Sequence, residues 1–145
     1  METILVEASE DSLDEINDFL NERLEAMDAD PNVCFQIELS VEEIVVNIAS
    51  YAYEDASDSE LFQKIEVGCE TKEDPPRITI RFRDTGKRFD PLAKEDADLS
   101  GKMFMEQEGG FGIHMVKETM DEVSYSYENG SNILTIRKNL QTPAE

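Results

Sequence analysis

Glu108-Gly-Gly-Phe-Gly-Ile-His-Met-Val-Lys117 governs how the whole of this chain can be read. Gly109, Gly110 and Gly112 run directly into a segment with helical spacing of its apolar residues. Glycines let backbone come close to an anion, and a helix behind them aims N–H groups and a positive dipole end at it. Taken alone, the stretch reads more simply as a flexible loop and a helix start. Two upstream segments, Glu43-x-x-x-Asn47 and Asp84-Thr-Gly86, give it meaning through their order along the chain.

Glu43 and Asn47 stand four apart on a segment with helical patterning, so about 40° of rotation separates them and both reach one side. Asn47 could offer its amide oxygen to a hard cation, and Glu43 could accept a proton. The spacing alone is more commonly an exposed polar stripe. Val45, Val46, Ile48 and Ala49 leave Asn47 little exposed surface, however, and a buried Asn must find a partner. Asp84 follows directly on a strand pattern. A carboxylate there can accept an exocyclic amine of a base, with Gly86 clearing space; the plainer reading is a strand-ending turn. Phe89 and Pro91 pin the chain after that turn on either view.

The rest of the chain frames these segments. Thr3 to Glu7 reads as a first strand. Ser9 or Ser12 caps a helix with apolar residues at Leu13, Ile16, Phe19, Leu20, Leu24 and Met27. Asp28 to Asn32 reads as a loop, and a second helix runs from Val33 to Tyr53, with Ser40 as a point where it could break. Phe62–Cys69 and Arg77–Arg83 are strand patterns, the second alternating Ile78, Ile80 and Phe82 with polar residues. Residues 87–108 lack a period and read as a lid. A third helix from Phe111 to Met120 precedes strands Val123–Tyr127 and Ile133–Arg137, joined by the hairpin signal Asn129-Gly130. The tail from Asn139 is expected to fray. The sum is an α+β domain over residues 1–140, with three helices and about five largely antiparallel strands.

Bulk properties bound the function. The chain has 145 residues and a formal charge of −21, a surface that repels phosphate backbones and argues against a nucleic-acid partner. A basic or mixed-charge protein partner fits it, as does solubility alone. No run approaches the roughly 18 apolar residues of a membrane span, and the N-terminus is acidic, so a cytoplasmic location is expected. Cys34 and Cys69 fit that compartment as reduced thiols.

Glu43-Ile-Val-Val-Asn47-Ile-Ala-Ser-Tyr-Ala-Tyr53, Asp84-Thr-Gly-Lys-Arg-Phe-Asp-Pro-Leu92 and Gly109-Gly-Phe-Gly-Ile-His-Met-Val116 together resemble the three ATP-site boxes of the histidine-kinase-like ATPases. Within that superfamily the chain is most similar to the stand-alone anti-sigma-factor serine kinases. Met120-Asp-Glu-Val-Ser-Tyr125 and Asn132-Ile-Leu-Thr-Ile-Arg-Lys138 fit the end of the same domain. The resemblance implies a Bergerat-type two-layer sandwich, with the helices on one face of a mixed, mostly antiparallel sheet. ATP and Mg²⁺ would lie under a mobile lid. Glu43 would be the catalytic base, Asn47 the Mg²⁺ ligand, and Asp84 the adenine anchor with Gly86. Gly109, Gly110 and Gly112 would cradle the phosphates, and Asn132 would approach the nucleotide. A partner-switching circuit is implied too, with a protein antagonist phosphorylated on serine, a sigma factor and a homodimer.

The chain departs from the pattern at Tyr51, where a histidine is usual, at Arg88, near an expected glycine or proline, and at Asn132, where a Gly-Thr pair is usual. The preferred expectation is an ATP-dependent protein serine kinase; separately, Lys87 and Arg88 could serve as phosphate contacts from the lid. Its rivals are a nucleotide-responsive binding module without phosphotransfer and an acidic interaction domain with an empty pocket. His114 is expected at the core edge or exposed. No phosphoacceptor histidine on a separate helix accompanies it, which disfavours an autophosphorylating histidine kinase.

Overall fold

A computed structural model of the chain describes residues 1–52, 64–93 and 110–141. Tyr53, the acidic connector at 54–60, the first residues of the Phe62 strand pattern, most of the expected lid, Gly109 and the last four residues lie outside them. Strand β1 (Glu2–Glu7) leads into helices α1 (Leu13–Ala26) and α2 (Pro31–Asn47). Strands β2 (Lys64–Glu73) and β3 (Pro76–Asp84), helix α3 (Gly110–Thr119) and strands β4 (Glu122–Glu128) and β5 (Ser131–Asn139) follow. The strands form one five-stranded sheet in the order β1-β2-β3-β5-β4, with every pairing antiparallel.

Period-2 alternation puts Ile65 and Val67 of β2, Ile78, Ile80 and Phe82 of β3, and Leu134 and Ile136 of β5 on one face. That face meets Ile16, Leu20 and Leu24 of α1 and Ile37, Val41, Ile44 and Val45 of α2 in a single buried core. The domain is therefore the α+β two-layer arrangement expected. Its other sheet face carries Arg77, Arg81, Arg83 and Arg137, with Gly68 and Thr135 opposite Arg81. Arg81 pairs with Glu66 there, and Arg137 with Glu122.

Helices α1 and α2 together hold one cation, Arg23, against a row of acids that includes Asp14, Asp18, Glu22, Glu25, Glu38 and Glu42. Arg23 itself is committed. It pairs with Glu2, donates to Phe19 O at 2.7 Å and lies 3.9 Å over the Phe19 ring.

Local chemistry sets the boundaries. Ser9 Oγ accepts from Asp11 N at 3.1 Å and caps a short 3₁₀ turn before α1, while Ser12 makes no such bond. Helix α2 begins two residues before the expected Val33. Asp30 caps it through Asn32 N at 2.8 Å, and Pro31 occupies the first turn, where its missing N–H is no loss. The helix runs unbroken through buried Ser40, then widens into a π turn at Ile48–Ala52. Strand β2 extends past Cys69 to Glu73, because only Asp74 and Pro75 separate it from β3. Asn129 and Gly130 have φ of 52° and 78°, the paired positive values of a type I′ hairpin.

The expectation of a frayed tail from Asn139 is corrected. Asn139 closes β5, and Leu140 is 0% exposed. Leu140 N donates to Pro76 O at 2.9 Å, and its carbonyl accepts from Asp30 N at 3.0 Å. Among the described residues, no helix is long and apolar enough to cross a membrane.

Candidate functional site

The C-terminal end of α2 supplies two of the candidate residues. Asn47 is buried, and its Nδ2 donates to Glu43 O one turn earlier at 2.7 Å. That bond uses the nitrogen end of the amide and leaves Oδ1 as the end that can turn to a ligand. Glu43 is half-buried beside α3. A Cβ added to Gly112 would overlap its carboxylate and stand 2.7 Å from its Cγ. The glycine thus makes room for the acid, a role that helix propensity alone would count against. Burial, then the neighbouring charge of Glu42, pushes the Glu43 carboxyl above its ordinary value.

The second part lies where β3 ends and β5 begins. Asp84 and Asn132 are direct cross-strand partners, and both are buried. Asp84 Oδ1 accepts from Gly86 N at 2.9 Å and from Asn132 Nδ2 at 2.9 Å. Burial raises the Asp84 carboxyl, and these two donors oppose the rise. Asn132 Nδ2 also donates to Lys87 O at 2.8 Å. Its Oδ1 accepts from Phe89 N at 3.0 Å and from the Tyr125 hydroxyl at 2.5 Å.

Asn47, Asp84 and Asn132 line one cavity, together with Ile44, Ile48, Ile113 and Leu134 and with Phe89, Pro91 and Tyr125. Its volume is about 20 Å³, room for about one water. Small-molecule pockets run to several hundred Å³, roughly 300–1,000. The donor set suits a phosphate-bound hard cation at Asn47 Oδ1, but the space enclosed among these described residues does not hold a nucleotide base.

The structure thus gathers Asn47, Asp84 and Asn132 at one cavity, with Gly86 bonded to Asp84. It sets Glu43 against Gly112, and Gly110 opens α3. Gly109 lies outside the described residues. His114 is half-buried on α3, with Nε2 3.6 Å from Glu118 Oε1, and does not line the cavity. Arg88 stands 5.5 Å over the Tyr127 ring. Nothing in the sequence reading singles out Tyr125 for a role, although the alternation of β4 turns Val123 and Tyr125 to one side.

The fold is a two-layer sandwich with an Asn-bearing helix, an Asp at a strand end and a glycine-led helix. The chain belongs to the histidine kinase-like ATPase domain family, whose pattern matches residues 6–138. No curated protein matches it. Among solved structures it is similar to a chain in the crystal structure of the SiaB–SiaC complex from Pseudomonas aeruginosa. The TM-score is 0.66 and the identity 18%, covering 95% of this chain and 88% of that one. At that identity the likeness is one of fold.

Proposed function

We propose that this domain is an ATP-dependent protein serine kinase of a partner-switching pair. The observation that carries the reading is the Asn47 amide, fixed through Nδ2 so that its oxygen is the end left for a ligand, one turn from Glu43. Asn47 would hold Mg²⁺ through that oxygen, and the ion, when bound, supplies charge neutralisation at the phosphates. Gly110 opens α3, whose first N–H groups and dipole favour the negative charge of the phosphates, while Gly112 gives its open side to Glu43. Asp84 would accept the exocyclic amine of adenine. The Glu43 carboxylate would take the proton from an incoming serine hydroxyl, and a raised pKa makes it a stronger base. That the similar solved structure is a complex of two proteins supports a protein substrate here, and the acidic helix layer suits a basic one.

A second reading, a nucleotide-responsive binding module without phosphotransfer, uses the same site. Calorimetric titration of ATP with and without Mg²⁺, on the wild type and Asp84→Asn, tests the site common to both. Saturable, Mg²⁺-dependent binding lost in the variant supports it; no binding to folded wild-type protein sinks it.

A further inference from the structure

We propose that Asn132 is a clasp that fastens the Lys87–Phe89 backbone over the candidate base cavity, so that the resting chain is closed to nucleotide. The inference rests on the nucleotide reading above and adds a control to it. An Asn side chain offers two donors and two acceptor positions. In Asn132 all four are used within the protein, on Asp84 Oδ1, Lys87 O, Phe89 N and the Tyr125 hydroxyl. They tie the end of β3, the segment after it and β4 to β5 at one buried point.

The chemistry of the clasp imitates that of a ligand. Asn132 Nδ2 donates to the Asp84 carboxylate as the exocyclic amine of an adenine would. Its two bonds to the backbone at 87 and 89 hold in place the segment whose Phe89 and Pro91 line the cavity. Pro91 is buried and Phe89 half-buried, and the space left is about 20 Å³. A purine therefore enters only if the segment swings out from over Asp84, whose two bonds here both fall on Oδ1. The open fraction then scales the apparent affinity, since the apparent Kd is the intrinsic one divided by the competent fraction. Asn132 acts here as a positioning residue and touches no phosphate.

The test uses the full chain as wild type, Asn132→Ala and Tyr125→Phe, the last removing the hydroxyl that meets both Asn132 Oδ1 and the Phe89 N–H. Each is read by amide hydrogen exchange without nucleotide and by titration with a fluorescent ATP analogue and Mg²⁺. In Asn132→Ala, exchange at Phe89 should rise about tenfold and nucleotide affinity should tighten about tenfold. Tyr125→Phe should move both the same way by about threefold. Faster exchange at Phe89 with unchanged or weaker affinity, in protein with a cooperative melt, overturns the clasp. So does unchanged exchange at Phe89 in either variant. Binding that Asp84→Asn abolishes but neither clasp variant improves defeats the clasp and leaves the nucleotide reading standing. No binding to any form, with Phe89 freed, defeats the nucleotide reading itself.

Discussion

Gly112 of α3 lies against Glu43 of α2 so closely that a Cβ on the glycine would occupy the space of the carboxylate. The absence of a side chain at one residue is thus what allows the other to sit where it does. Gly112→Ala should destabilise the fold by about 1–3 kcal/mol through overpacking. In a Glu43→Ala background the same change should become neutral or stabilising, because alanine is the better helix former by about 1 kcal/mol. A double-mutant cycle in urea reads that reversal; equal effects in both backgrounds would mean that Glu43 is not the obstacle.

Glu43→Ala should leave Mg²⁺-dependent ATP binding within about threefold of wild type while phosphotransfer to a cognate serine falls by roughly 10² or more, on the order of a general-base loss. Binding and transfer falling together would count against the assigned role.

The raised Glu43 pKa carries a pH dependence with a definite sign. A carboxyl with a folded pKa above its ordinary 4.5 weakens the fold once ionised, and stops doing so below 4.5, where both states are protonated. Glu43→Gln should therefore melt higher than wild type near neutral pH, roughly pH 7, and the gain should vanish at roughly pH 4. A gain that persists in acid would show that charge is not its source.

Leu140 tests the end of β5 as part of the core. Leu140→Ala should cost about 2–5 kcal/mol by leaving a cavity. Leu140→Met, close to it in volume, should cost less than about 1.5 kcal/mol. Urea melts in which both variants match wild type would place the side chain outside the core.

Much of this fold can be read from local patterns. The 3–4 spacing of Ile16, Leu20 and Leu24, the alternation of Ile78, Ile80 and Phe82, and Asn129-Gly130 each specify their element within a few residues. The i,i+4 pair Glu43 and Asn47 is visible for the same reason. What stays hidden depends on distant chain. Leu140 reads as free until Asp30 and Pro76 close around it. The charged run Glu70–Glu73 reads as loop, yet its backbone pairs with β3. Asn132 is bonded to Asp84 across 48 positions of sequence, and no local pattern announces that.

Charge is divided unequally between the two layers. Acids crowd the helix side, whereas on the opposite sheet face Arg77, Arg81, Arg83 and Arg137 offset Glu66, Glu70 and Glu122. Among the described residues the two layers therefore differ in charge across the thin dimension of the sandwich. A charged neighbour feels it within a Debye length, about 8 Å at physiological salt, before any contact forms. A difference of that kind favours approach of a cationic neighbour to the helix layer, and added salt weakens it.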